Sequence, residues 1–132
     1  VSDSILTTTK KVLGIEEDYV DFDVDVILHI NSVFSTLNQL GIGTDDGFMI
    51  LDASPTWVDF FGPDPRLNAV KSYVFLRVKL LFDPPGTSFL INAYQQQIQE
   101  MEWRLAEIAS MISKEVPAGF GASPFGAAPF GV

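Results

Sequence analysis

The chain has no cysteine and a single histidine among its 132 residues. Without thiols there is no disulfide and no thiolate metal site, which fits assembly in a reducing compartment such as the cytosol. His29, flanked by Leu28 and Ile30, lacks the second imidazole or thiolate that a metal site or a triad would require, and it reads as a structural or surface residue. Bases are scarce too: eight Lys and Arg stand against 17 Asp and Glu, for a net charge of −9. Apart from Lys10-Lys11 and the alternating Arg77 and Lys79 they do not cluster, so a basic face that grips nucleic acid is excluded. An acidic surface still matters near DNA, because it repels it. No apolar run reaches membrane length; the best, Tyr73 to Phe82, is interrupted by Arg77 and Lys79. No segment reads as a secretory leader, and Val1 reads as following a removed or omitted initiator methionine.

Charge is also missing after Glu115, and there a repeat appears. Phe120, Phe125 and Phe130 stand five apart, each followed by Gly, in the pentads AGFGA, SPFGA and APFGV. Pro124 and Pro129 precede the last two aromatics. Gly and Pro at this density disfavour helix, while solvated disordered tails are charged and poor in aromatics. The segment therefore reads as a docking ligand carried by Phe120, Phe125, Phe130, Pro124 and Pro129. Burying three Phe side chains offers roughly 5–9 kcal/mol at about 1.5–3 each. Ordering some fifteen residues costs about 1–2 kcal/mol apiece. One tail alone binds weakly, whereas a tail repeated around a ring or held by a docked body gains from effective concentration. A mean hydropathy of +0.24, high for a soluble domain, points the same way, to extensive contacts with other chains.

The remaining residues read mostly as helix. The first helix is predicted over about 4–13, capped by Asp3 or Ser4, with Lys10 and Lys11 at its C-terminal end and Gly14 as its stop. An acidic stretch follows: Glu16, Glu17, Asp18, Asp21, Asp23 and Asp25. A second helix starts near Asp23 and ends at Gly41, with Val26, Ile30, Val33, Phe34, Leu37 and Leu40 along one stripe. Residues 42–53 break this period. Asp46-Gly47 is a hairpin-type turn signal, and Phe48-Met49-Ile50-Leu51 reads as a short strand.

Ser54-Pro55 reads as N-cap and first position of a short helix through Trp57, Phe60 and Phe61. Asp64-Pro65 repeats that signal for a longer helix, which Asp83-Pro84-Pro85-Gly86 stops after Phe82. Apolar residues surround this helix nearly completely, so it belongs at the centre of the domain or between subunits. The last helix is predicted over 88–113, with Ile91, Tyr94, Ile98, Met101, Leu105, Ile108 and Ile112 in a heptad-like seam and Gln95 to Gln97 exposed. The expected fold is mainly α: a small bundle of four to five helices over 1–115, a short β-hairpin or strand excursion, and an extended docking tail over 116–132.

No catalytic constellation emerges. Asp21-Phe22-Asp23-Val24-Asp25 has the spacing of the first ligands of a calcium loop, but the sixth position is Val26 rather than Gly and the twelfth is Ser32 rather than Glu. These acids fit a helix N-terminus instead. Gly41-Ile42-Gly43-Thr44 lacks the Lys of a phosphate loop and reads as helix stop plus turn. Trp57 and Trp103 read as core or interface anchors. Glu100 and Glu102, two residues apart on a helix, face different directions, while Glu100 and Arg104 form an i,i+4 pair. Neither an enzyme nor a cofactor is expected.

In order and spacing, ILTTTKKVLGI (5–15), HINSVFSTLNQLGIG (29–43), TWVDFF (56–61), AVKSYVFLRVKLLFDPP (69–85) and IQEMEWRL (98–105) resemble the head–tail connector, or adaptor, proteins of tailed bacteriophages. The resemblance covers about residues 4–108. It implies a non-enzymatic virion protein of the neck, assembled in the host cytoplasm as a twelvefold homo-oligomeric ring beneath the portal protein. Such a ring extends the DNA channel, passes the genome without specific binding, has no membrane partner, and offers a face to a stopper or tail-completion protein. It further implies that the C-terminal segment reaches the portal. The Phe-Gly pentads depart from the family pattern and leave that partner open between the portal and another neck protein. Within this reading Phe48, Met49, Ile50 and Leu51 are the expected subunit contact, and Glu16, Glu17, Asp18, Asp21, Asp23 and Asp25 line the channel or a solvated outer face. The alternatives are another neck ring, a stopper or tail terminator, which is usually richer in strands, and a non-viral helical interaction module.

Overall fold

The computed structural model describes residues 3–44 and 46–114, and these form five α-helices. Helix α1 spans Ile5–Val12. The Ser4 hydroxyl accepts from the Thr7 N–H as its N-cap and donates to the Ala53 carbonyl at 2.7 Å, which ties the helix start to a distant loop. Helix α2, Asp23–Leu40, ends on Gly41, whose φ of +93° lets the Ile42 N–H turn back onto the Leu37 carbonyl at 2.9 Å. A side chain here would also crowd α5, Ser88–Lys114, since a Cβ on Gly41 would lie 3.2 Å from that of Ala109.

Helix α3, Trp57–Phe61, starts later than Ser54-Pro55 implied. Thr56 and Asp59 form a reciprocal capping box, which satisfies two N–H groups at once and outcompetes the single cap that Ser54 offers. Ser54 is held by Asp52 instead, through its N–H and its hydroxyl. Helix α4, Leu67–Phe82, likewise begins after Asp64-Pro65. Asp64 accepts from the backbone and guanidinium of Arg66, and a turn precedes the helix proper. The guanidinium, then the backbone N–H, holds the Asp64 carboxyl below the usual carboxylate range.

Helix α4 occupies the centre, packed against α1, α2, α3 and α5. Val70, Tyr73, Val74 and Val78 are buried, and Leu67, Phe75, Leu76, Leu80 and Phe82 pack against the core from other sides. The apolar circumference read from the sequence thus has a use within one chain. On α5 the seam lies as expected, with Ile98 and Leu105 buried, the other seam positions partly covered, and Gln95 to Gln97 in solvent.

The expected strand at 48–51 does not form among the described residues. The alternation is present, since Phe48 and Ile50 point inward while Met49 and Leu51 point out. A side chain takes the place of a neighbouring strand. Asn31 of α2 accepts from the Ile50 N–H at 2.8 Å and donates to its carbonyl at 2.9 Å. The only β pairing among the described residues is one antiparallel bridge between Ser4 and Thr56.

Candidate functional site

Three exposed surfaces and one groove stand out once the core is accounted for. The first is the extended segment that Asn31 holds. Phe48 packs edge-on to Phe34 with ring centroids 5.5 Å apart, and Ile50 is fully buried. Of the four residues expected at a subunit contact, only Met49 and Leu51, 63% and 79% exposed, are available to another chain. Neither makes a backbone hydrogen bond among the described residues. Asn31 had a partial signal, an amide beside the apolar stripe of α2, but Asn38 offers the same one and the partner of Asn31 is backbone, which no side-chain pattern reports.

The second surface is the pole where the start of α2, the end of α4 and the start of α5 meet. Phe22 lies edge-on to Phe82 at 5.4 Å, and the His29 ring is 6.4 Å from the same Phe82. Around them Val20, Val24, Leu28, Leu81, Phe89 and Leu90 are exposed. The acids singled out from the sequence lie on the connection from α1 and on the first turn of α2, with Glu16 and Glu17 beside Thr7 and Lys11 of α1. Glu16, Glu17, Asp18, Asp21 and Asp25 are exposed, interleaved with apolar side chains.

Asp23 is different. Its Oδ1 lies 2.8 Å from Lys10 Nζ as an ion pair, without the alignment of a hydrogen bond. Lys10 also donates to the carbonyls of Glu17 and Tyr19 at 3.0 and 2.7 Å. A lysine read as a helix-end charge is therefore buried at the hub of the acidic connection, fixing its path while its acids stay outside. Helix position alone gives no sign of this, because two of the three groups around the ammonium are main-chain oxygens.

The third surface is the outer side of α5, where Trp103 is 66% exposed and Met111 is half-exposed. Trp57, in contrast, is core, with its indole N–H donating to Thr8 Oγ1 at 2.9 Å. On the inner side of α5, Tyr73 donates to Glu102 Oε2 at 2.6 Å and accepts from Arg77 at 2.7 Å, so α4 and α5 are joined by a polar triad. Burial first, then the bond to Glu102, pushes the Tyr73 hydroxyl up to about 12.

The groove, of about 300 Å³, lies between the 41–44 turn, Phe60, Phe61 and Ile112, with the Asp64–Arg66 pair on its rim. Among the described residues no group of three or more His, Cys, Asp or Glu is placed to hold a metal ion, and no helix is long and apolar enough to cross a membrane. Phe120, Phe125, Phe130, Pro124 and Pro129 lie outside the described residues.

No curated protein and no solved structure matches the chain. A family model does match, that of the phage connector proteins, over residues 5–111. The match runs from the first residue of α1 almost to the end of α5, and so takes in the whole helical body and the three surfaces just described. By that match the chain belongs to the phage connector protein family, whose members are structural components of the virion's head–tail junction.

Proposed function

We propose that the chain is the repeating subunit of a closed, twelvefold ring beneath the portal protein, which extends the DNA channel toward a stopper or tail-completion protein. Family membership sets the site of action, and the observation that carries the ring is the separation of the exposed apolar surfaces. Head-to-tail closure needs two different complementary faces on each subunit. This chain has apolar side chains free on the Met49–Leu51 edge, on the pole around Phe22 and Phe89, and on the outer side of α5. A single helical body of this size has little reason to leave so many large side chains in water.

The net charge of −9, repeated around a ring, keeps DNA moving through the channel without sticking. Glu16, Glu17, Asp18, Asp21 and Asp25 are the side chains we assign to that field. Asp23 contributes less, being neutralised by Lys10. The pentad tail, with Phe120, Phe125 and Phe130 as anchors, is assigned to the portal.

Quantitative mass spectrometry of purified phage particles tests the reading by counting this chain against the portal protein. A ratio near one copy per portal subunit supports a neck ring. Absence from particles refutes it.

A further inference from the structure

The groove beside the 41–44 turn has an occupant within reach. Ile112, one of its walls, lies two residues before Lys114, the last residue of α5, so α5 ends within two residues of the groove's lip. Phe60, Phe61 and Ile112 give it an apolar lining. One side is bare backbone: Gly43 has φ of +97° and lies so close to Phe60 that a Cβ there would sit 2.8 Å from the ring. Any other residue at position 43 would push Phe60 and reshape the lining.

We propose that this groove receives Phe120 of the chain's own tail. Phe120 is six residues on from Lys114, a span of at most about 20 Å when extended. Reversing back to a groove that starts at Ile112 requires far less. Pro117 and Gly119 lie within the span and supply turn residues. The segment after Glu115 carries no charge, so it brings no ionised side chain to the apolar lining. Groove and Phe120 belong to one chain, and a short tether gives an effective concentration in the millimolar range. A single aromatic suffices on such a tether where it would not bind as a free ligand. Phe125 and Phe130, five and ten residues further on, stay available to a partner. The first pentad is then a latch that keeps the tail on its own body until a partner competes for it. This holds for the isolated subunit and does not rest on the ring or the portal.

The absence of cysteine makes the test clean. Full-length chain carrying Thr44→Cys on the groove rim and Gly121→Cys beside Phe120 is oxidised, and disulfide formation is followed on non-reducing gels and by mass. The control pairs Gly121→Cys with Gln96→Cys, exposed on α5 and about 27 Å up the helix from Lys114 at 1.5 Å per residue. Asp64→Cys with Gly121→Cys is a second groove pair, in case Thr44→Cys loosens its turn. The expected result is an intramolecular bond in the groove pairs at least about tenfold faster than in the control, with the advantage erased by adding Phe120→Ala. Equal rates, an advantage that survives Phe120→Ala, or bonds linking two chains would each overturn the proposal. No portal protein is present, so the outcome is independent of whether the tail also docks there.

Discussion

Two residues carry polar interactions whose removal has a calculable effect. Lys10 is buried against Asp23 and two carbonyls. Breaking a fully buried pair costs about 3–5 kcal/mol, and the Asp23 side chain is 26% exposed, so Lys10→Met should cost about 2–3. Asp23→Asn keeps both carbonyl bonds and should cost about 1 kcal/mol. Urea unfolding measures both, and equal midpoints for Lys10→Met and the parent would rule out the hub. Tyr73 supplies a pH dependence. Its hydroxyl is raised from 10.0 to about 12 in the folded chain. As pH rises past 10 the unfolded chain releases this proton first, which favours unfolding. The contribution is whole below pH 10 and is lost between 10 and 12, up to roughly 2–3 kcal/mol. Tyr73→Phe should be less stable than the parent by about 1 kcal/mol at neutral pH. The order should reverse by pH 12, and a gap constant across that range would remove Tyr73 as its source.

At the scale of elements, the helices were legible because period, caps and breakers agree. Gly41 and the Asp83-Pro84-Pro85-Gly86 stop fall where α2 and α4 end. The starts of α3 and α4 were misplaced because Ser54-Pro55 and Asp64-Pro65 are good local signals that a better arrangement overrides, the Thr56–Asp59 box in one case and the Asp64–Arg66 turn in the other. Residues 48–51 illustrate a different limit. Their apolar run reads as a strand, and burial does alternate along it, yet no strand follows among the described residues, since the pairing groups belong to Asn31. The consequence is experimental. Deleting 46–51 would remove Phe48 and Ile50 from the core and test folding rather than assembly. Met49→Ser with Leu51→Ser removes only the exposed side chains. Helical circular dichroism should be unaltered and stability should stay within about 0.5 kcal/mol, while ring formation, followed by native mass spectrometry or electron microscopy on the portal, should be lost. Intact rings would exclude this edge as a subunit contact.

Over the whole molecule, the helical body folds around one core while its surface is left incomplete. Phe22, Val24, Leu28, Phe89 and Trp103 are exposed on a chain whose interior is already filled. The family was legible at this scale because order and spacing of segments survive where no single motif is specific. Contact residues are harder to read, because a partner selects them and one sequence holds only half of each interface. The tail differs in that its Phe-Gly repeat singles out particular residues to test. Truncation after Lys114 keeps every described core residue and should leave the helical body folded, with its circular dichroism unaltered. Replacing Phe120, Phe125 and Phe130 together by Ala should do the same to the body, yet weaken docking on the portal ring more than about a hundredfold, because truncating an anchor typically costs about 2 kcal/mol or more. The triple variant separates anchoring from tethering, since it keeps the full length and all the Gly and Pro residues. If it docks with unaltered affinity while the truncation does not, the backbone rather than the aromatics makes the contact. If both dock unaltered, the portal contact belongs to the body, and the apolar pole around Phe22 and Phe89 becomes the surface to mutate.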